Sequence, residues 1–182
     1  VEDRTFWGVG MVANASNGWV TVIEQFRLST PFTVQPTSVA LFEGLSSSGT
    51  VTQIKNSDNT TFNVTSKFVQ RTGQVASAKV EFTLPGSTFE LNATYEARAA
   101  TNVTGSLFLW NNSTSKWVYF GSNPLGLTDV VKTFAIGNTY NQYVDGTRKV
   151  KALIRAILPE RIGSSTPTFI LKIDQVKLAG SN

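Results

Sequence analysis

The chain is a succession of short segments rich in β-branched and aromatic residues, separated by glycine, proline, asparagine and aspartate. Such residues favour strands, and the separators favour turns. Because many short strands with regular turns are typical of sandwiches, the sequence predicts an all-β, jelly-roll-like antiparallel β-sandwich. A short helical turn is expected only near residues 138–144. The candidate strands after residue 37 are 38–43, 49–55, 61–68, 75–84, 89–99, 105–110, 116–121, 130–136, 148–158 and 168–178.

An N-terminal hairpin precedes these strands. Residues 4–13 and 19–28 read as two strands, and Asn17 and Gly18 between them are a strong hairpin-turn signal. Pro31 and Pro36 then interrupt the pattern, so the sequence predicts a hairpin extension over residues 1–35 and a sandwich domain over residues 36–182. A hairpin alone is marginal in water, so we expect it to pack on its own sandwich or on another copy. The candidate assembly residues are its large apolar side chains: Phe6, Trp7, Val9, Met11, Trp19, Ile23 and Phe26.

A second hairpin is predicted over residues 107–120, where two aromatic-rich runs flank a polar turn. Strand alternation places Trp117 and Tyr119 on one face, and Phe108 and Trp110 on one face of the partner strand. The sequence predicts that one of these pairs belongs to the core. The other pair is then a flat platform for a sugar ring, or is covered by residues 1–35; we favour core or cover.

The last strand contains a change of phase. Phe169, Leu171 and Ile173 alternate on one face, after which the pattern slips at Asp174 and resumes at Val176. Since a one-residue slip moves every later side chain across the sheet, the sequence predicts a β-bulge at Asp174.

The absence of cysteine and histidine limits the chemistry of the chain. It excludes Ser-His-Asp and Cys-His catalysis, zinc-thiolate sites and disulfides. A glycosidase needs only two carboxylates, but the acidic residues near strand ends show no spacing that marks a pair. We therefore predict a protein that is not an enzyme, and keep a small glycan-active hydrolase as a third hypothesis. The acidic residues considered are Glu96, Asp129, Asp145 and Glu160.

The charge, the hydropathy and the first residues of the chain indicate which partners and which location to expect. The net charge of +4 is not gathered into a basic stripe, so nucleic acid is not a predicted partner. The sequence contains no run of about 18 apolar residues, so it predicts no membrane span. The chain begins at Val1 and shows no leader, so we expect an extracellular or cell-surface protein whose signal peptide is already removed.

The sequon Asn-X-Ser/Thr recurs along the chain, which is itself rich in asparagine, serine and threonine. The pattern is open to two interpretations: a glycosylated surface protein, or chance sequons in a cell that does not use them. The candidate glycosylation sites are Asn14, Asn59, Asn63, Asn92, Asn102, Asn111 and Asn112.

Several segments together resemble a known kind of domain: residues 106–117, 140–144, 146–155 and 169–178, with residues 49–51 and 58–59 upstream. Over about residues 37–179 the chain resembles the carbohydrate-binding-module-like sandwich domains of secreted and cell-surface bacterial proteins. The resemblance implies the sandwich fold and polysaccharide binding through exposed aromatic residues. The candidates for that role are Trp117, Tyr119, Tyr140 and Tyr143.

The resemblance also raises the question of a structural calcium ion. Some such modules hold calcium beside the aspartate of a final Ile-Asp-x-Val strand, a position that Asp174 matches. Calcium needs six or more oxygen ligands, and only Glu43 and Asp58 are further candidates. We therefore predict no metal or other cofactor, and interpret Asp174 as a buried carboxylate that accepts backbone amides at the bulge.

Two functional hypotheses follow. The leading one is a non-catalytic extracellular structural protein, a self-assembling cell-surface or filament subunit that uses strand contacts of residues 1–35 and has itself as partner. The alternative is a carbohydrate-binding module that recognises a polysaccharide through exposed aromatic residues.

Overall fold

The computed structural model describes residues 5–13, 19–27, 30–86, 90–160 and 166–181. The chain divides into two compact units, Val1–Thr30 and Pro31–Asn182. In the first unit, β1 (Thr5–Ala13) and β2 (Trp19–Arg27) form a two-stranded antiparallel sheet. This confirms the predicted hairpin strands, whereas the predicted turn at 14–18 lies outside the described residues. The structure describes the backbone of β1 and β2 but not their side chains, so the role of the assembly candidates stays a prediction.

The second unit is a sandwich of antiparallel strands, which confirms the predicted all-β fold. Sheet I has the order β11-β10-β13-β8-β4, with β7 beside β8, and sheet II has the order β12-β9-β14-β6-β5, with β3 beside β14. The strands are β3 Pro31–Val34, β4 Ser38–Glu43, β5 Ser46–Ser48, β6 Phe62–Thr65, β7 Lys67–Val69, β8 Gly73–Thr83, β9 Glu90–Ala99, β10 Val103–Asn111, β11 Lys116–Leu125, β12 Val130–Ala135, β13 Lys149–Pro159 and β14 Ile170–Ser181.

The core lies between the two sheets and follows from the period-two alternation of the strands. In β13, Val150, Ile154 and Leu158 are buried in this core, while Lys149 and Lys151 alternate with them. The largest fully buried side chains are those of Tyr95, Phe82, Ile54, Leu84, Leu91, Leu107, Leu109, Leu125, Ile154, Leu171, Ile173 and Leu178. None of the helices among the described residues is long and apolar enough to cross a membrane.

The predicted β-bulge is confirmed in β14. Its pairing with β9 shifts register between Ile173, which pairs with Ala97, and Gln175, which pairs with Glu96. The shift keeps Val176 in the core, so the bulge preserves the inward face of the strand.

One predicted strand is wrong. Residues 49–55 contain a 3₁₀ helix at Val51–Ile54 instead. Thr50 and Gln53 form a capping box: the Thr50 amide donates to Gln53 Oε1 at 2.7 Å, and the Thr50 hydroxyl accepts from backbone amides of the turn. This local hydrogen bonding closes a turn and places Ile54 in the core. The predicted turn near 138–144 is confirmed as a 3₁₀ helix at Gly137–Tyr143.

The division between the units differs from the predicted boundary after residue 35. It falls between Thr30 and Pro31, because β3 pairs with the end of β14 and so joins sheet II. Pro31 is the first residue of β3, a position where the missing amide hydrogen of proline is tolerated.

Candidate functional site

The aromatic residues of β10 and β11 lie on the outer face of sheet I, away from the core. Leu107 and Leu109 of β10 are buried in the core, so the residues that alternate with them, Phe108 and Trp110, point to the opposite side. Phe108 pairs with Tyr119, and Trp110 pairs with Trp117. The prediction that one aromatic pair belongs to the core is therefore wrong, because directly paired residues share a face and both pairs are outward.

These four rings contact one another pairwise. The ring centroids of Trp110 and Trp117 are 5.3 Å apart in an edge-on arrangement, and those of Phe108 and Tyr119 are 5.5 Å apart. Aromatic pairs of this kind each contribute about 0.5–1.5 kcal/mol beyond their buried area. Tyr119 is 55% exposed, and its hydroxyl donates to Ser122 Oγ at 2.9 Å. The rings are thus fixed in place while one of them faces solvent.

A fifth ring reaches this cluster from the other edge of the sheet. Phe42 of β4 is 50% exposed, and its ring centroid lies 5.7 Å from that of Trp117 in β11. These strands are the two ends of a five-strand path, which in a flat sheet would be roughly 19 Å apart at about 4.8 Å per strand. Sheet twist accumulates across the strands and brings diagonally opposite corners of one face together. The outer face of sheet I is therefore concave.

Sequence reasoning missed Phe42. It is the extra residue at a register shift between Leu41 and Glu43, where β4 pairs with β8. The apolar run that ends at Phe42 does not alternate, which is the signal that could have indicated a bulge. We call Phe42, Phe108, Trp110, Trp117 and Tyr119 the aromatic cluster.

A row of polar residues crosses the same face beside the aromatic cluster. By strand register it runs through all five strands, each residue being the partner of the next: Glu43, Ser77, Arg155, Ser106 and Ser122. Arg155 Nη2 donates to Glu43 Oε2 at 3.2 Å, and Lys67 Nζ lies 3.6 Å from Glu43 Oε1. We call this set the polar row; it supplies hydroxyl, carboxylate and guanidinium groups next to the rings.

Two polar atoms of this row are buried without a hydrogen bond to any residue that the structure describes: Ser77 Oγ and Arg155 Nε. Ser77 is fully buried, and it pairs directly with Arg155. Buried polar groups are nearly always hydrogen-bonded, so an adjacent pair of exceptions is informative. These atoms can accept or donate further bonds if a ligand or a side-chain rearrangement brings a partner.

Charged residues continue the face towards the start of β13. Lys79 Nζ lies 3.1 Å from Glu81 Oε1, and Lys151 is the Cα partner of Glu81. Burial opposes ionisation of Glu81, but Lys79, then Lys151 and Ser38, lower the pKa of its carboxyl below the usual value. Glu81 is therefore a carboxylate at neutral pH, and both lysines lie beside it.

Tyr140 and Tyr143 do not join the aromatic cluster. Tyr143 is 5% exposed, its ring packs edge-on against Phe120 at 5.2 Å, and burial raises the pKa of its hydroxyl. Tyr140 is half-buried against the same core. The 3₁₀ helix at Gly137–Tyr143 thus turns Tyr143 towards the core, where it offers no exposed ring, whereas sugar binding by Tyr140 stays a prediction.

Asn111 cannot carry a glycan in this fold. It is 4% exposed, its Nδ2 donates to Gln142 Oε1 at 2.7 Å, and its Oδ1 accepts from the amides of Ser113 and Thr114 at 2.9 Å each. The prediction of glycosylation at Asn111 is therefore wrong: its side chain closes the hairpin turn.

The other sequons are distributed over both sheets and their loops. Asn59 and Asn102 are exposed, Asn112 is partly exposed, and Asn63 and Asn92 are partly exposed on the outer face of sheet II. Asn14 lies outside the described residues. Glycosylation at these positions stays a prediction.

The acidic residues considered for calcium do not assemble into a site. Within the described ranges no three Asp, Glu, His or Cys side chains lie close enough to share a metal ion. Glu43 is held by Lys67 and Arg155, while Asp58 accepts from the amide of Thr60, whose hydrogen bonds lower the pKa of Asp58.

Asp174 itself is 1% exposed, and its Oδ1 makes no hydrogen bond with the described part of the chain. The prediction that the Asp174 carboxylate accepts backbone amides at the bulge is therefore wrong for this oxygen. A single buried carboxylate does not supply the oxygen ligands that calcium requires.

No family model and no curated protein matches the chain. Among solved structures, a xylan-binding module, CBM15, is similar over 84% of this chain and 96% of its own, with 12% identity and a TM-score of 0.46. A CBM29-2 variant with bound mannohexaose is similar over 85% and 92%, with 9% identity and a TM-score of 0.43. The CBM36-1 domain of a multidomain xylanase from the hindgut metagenome of Trinervitermes trinervoides is similar over 83% and 97%, with 14% identity and a TM-score of 0.42. Carbohydrate-binding modules are also the domains that the sequence resembles, but likeness at these scores identifies no family.

Proposed function

We propose that the chain is a non-catalytic, extracellular carbohydrate-binding domain that holds a polysaccharide on the concave outer face of sheet I. The observation that carries this proposal is the aromatic cluster with two half-exposed rings, Phe42 and Tyr119, beside the polar row. A sugar ring has an apolar C–H face that packs on an aromatic ring and a rim of hydroxyls that need hydrogen bonds. A ligand site of this kind combines apolar surface with a few placed polar groups.

The spacing of the face suits such a ligand. Tyr119 of β11 pairs with Phe108 of β10; one step along β10 from Phe108 lies Ser106 of the polar row, whose partner Arg155 lies on the next strand, β13. That step is two residues, or about 7 Å, which is comparable with one sugar residue. A sugar stacked on Tyr119 thus places its hydroxyls above the serine and arginine side chains.

The site is also preorganised. Trp117 is held between Trp110 and Phe42, and the Tyr119 hydroxyl is held by Ser122. Side chains that are already ordered lose little conformational entropy when a ligand binds. A preorganised face therefore binds a polysaccharide more tightly than a face whose side chains must first rearrange.

The test is retention of the full chain on a panel of neutral and acidic plant, algal and microbial polysaccharides, by pull-down and affinity electrophoresis. We expect retention by at least one polymer, and loss of it in Tyr119→Ala and Phe42→Ala. Val131→Ala is the matched control, because Val131 is 59% exposed but belongs to β12 of sheet II. Retention by none of the polymers, or retention that survives both aromatic substitutions, would reject the proposal.

Self-assembly through residues 1–35 is a second candidate function. It is favoured by one observation: β1 and β2 pair with each other over nine positions as a two-stranded sheet of their own. Such a hairpin is marginal without further packing, and another copy of the chain is one source of it. Light scattering and electron microscopy of the full chain test this candidate, and a strictly monomeric chain at all concentrations contradicts it.

A further inference from the structure

We infer that the polysaccharide held on this face is acidic, with uronate carboxylates that bind between Arg155 and Lys67. This inference rests on the proposed function and narrows it to a ligand class. Three observations carry it: the charge of the face, the engagement of Arg155, and the unpaired atoms of the polar row.

Positive charge is concentrated on the outer face of sheet I. The outward positions of its described strands carry five cations and two carboxylates, an excess of three positive charges in a chain of net charge +4. The cations are Lys67, Lys79, Lys149, Lys151 and Arg155, and the carboxylates are Glu43 and Glu81. Each carboxylate lies beside two cations, so it offsets only one of the two positive charges around it.

The outer face of sheet II provides the contrast. Its outward positions carry Arg98, Lys172 and Lys177 against Glu90 and Glu96, and Arg98 is paired with Asp129. By the same count this face has an excess of one positive charge, and Asp129, which precedes β12, offsets it through its ion pair with Arg98. Among the described strands, the excess of positive charge therefore lies mainly on the outer face of sheet I, beside the aromatic cluster, where it attracts an anionic polymer.

Arg155 is placed to bind a carboxylate. A guanidinium has five N–H donors in a planar fork, and its one hydrogen bond to the described residues goes from Nη2 to Glu43. Its side chain is 28% exposed, and that of Lys67, which shares Glu43, is 40% exposed. Two partly exposed cations around one carboxylate can accept a second carboxylate from solvent.

The unpaired atoms of the polar row point the same way. Ser77 Oγ and Arg155 Nε are neighbours in register and lack partners among the residues described. A carboxylate bound by a reoriented Arg155 would accept from Nε, and the vacated Nη2 or Glu43 could then pair with Ser77. Ligand binding thereby satisfies groups that the unliganded domain leaves unsatisfied, which favours the bound state.

The experiment compares polymers that differ only in their carboxylates: polygalacturonate with its methyl ester, alginate with its propylene glycol ester, and glucuronoxylan with its carboxyl-reduced form. Isothermal titration calorimetry with the full chain at about 50 and 300 mM salt measures each affinity. We expect at least one acidic polymer to bind about ten times more tightly than its neutral partner, with an affinity that falls as salt rises.

Variants then locate the effect. Arg155→Gln should lower the affinity for the acidic polymer about tenfold or more, the fold-change for a lost charge-assisted hydrogen bond, and lower that for the neutral form much less, so that the preference for the acidic form is largely lost. Lys67→Gln, at a more exposed position, is the second variant if Arg155→Gln does not fold. Lys132→Gln is the matched control, because it removes the same charge from β12 of sheet II.

The outcomes separate the two proposals. Equal binding of acidic and neutral forms, both lost in Tyr119→Ala, overturns the acidic preference and leaves carbohydrate binding in place. An equal loss in Lys132→Gln and Arg155→Gln also overturns it, because net charge alone would then explain the preference. Binding of no polymer, acidic or neutral, rejects both.

Discussion

Replacing Tyr119 by alanine is the most informative single perturbation of the face. Tyr119 is 55% exposed, contacts Phe108 on one side and hydrogen-bonds Ser122 at its tip. It contributes little to the core, so the substitution tests binding more than folding. Because the ring is outward by strand register, its loss leaves the inward residues Leu107 and Leu109 in place.

The expected loss of affinity follows from the exposed area. If a tyrosine side chain has about 200 Å² of surface, 55% exposure leaves about 110 Å², of which a stacked sugar covers about half. At about 25 cal/mol per Å² this is about 1.4 kcal/mol, or about tenfold in the dissociation constant. Loss of the Phe108 contact costs stability by about 0.5–1.5 kcal/mol. That corresponds to a fall in melting temperature of roughly 2–4 °C per kcal/mol.

Calorimetric titration with the best polymer from the panel, together with thermal unfolding, measures both quantities. Tyr119→Phe is the matched control: it keeps the ring and its contact with Phe108 and loses only the bond to Ser122, so most of the affinity should remain. If Tyr119→Ala binds within twofold of the unsubstituted chain, the ring is not part of the binding surface and the reasoning fails.

Three further predictions concern the fold and its units. Tyr95→Phe removes the donor to buried Asn123 Oδ1, so chemical denaturation should show a loss of about 1–3 kcal/mol; an unchanged midpoint contradicts this. Hydrogen bonds from the Lys149 amide and then Thr147 lower the pKa of Asp145, so its ionised form stabilises the fold above its unfolded pKa of about 3.9. That stability is lost as pH falls through the lower folded pKa, so the melting-temperature gap between the unsubstituted chain and Asp145→Asn should be full at neutral pH and narrow as pH falls below about 3.9. A gap that persists at low pH refutes this. A chain that starts at Pro31 keeps both sheets and should unfold cooperatively, bind polysaccharide and no longer self-associate; light scattering and circular dichroism check this, and an unfolded product contradicts it.

Local patterns predicted most of the architecture. Alternation along β13 and the phase slip at Asp174 identified the inward faces and the bulge, because a strand has a fixed period of two. The Asn-Gly signal and the flanking strands identified the hairpin of the first unit. The spacing of Thr50 and Gln53 fits a capping box, whereas the β-branched Val51 and Ile54 favour a strand; in the structure the local hydrogen bonds of the 3₁₀ helix prevail.

What the sequence by itself determined is therefore which residues of each strand share a face, because alternation is local. In β10 and β11, where both faces of each strand carry apolar residues, it could not decide which face is inward, since that depends on the partner strand and on the opposing sheet. Pairing of Phe108 with Tyr119 and of Trp110 with Trp117 turned both aromatic pairs outward. Only the twisted sheet brought Phe42 to Trp117, and only strand register aligned Ser77 with Arg155. The candidate site is made of residues far apart in the chain, so it exists only where tertiary packing brings them together.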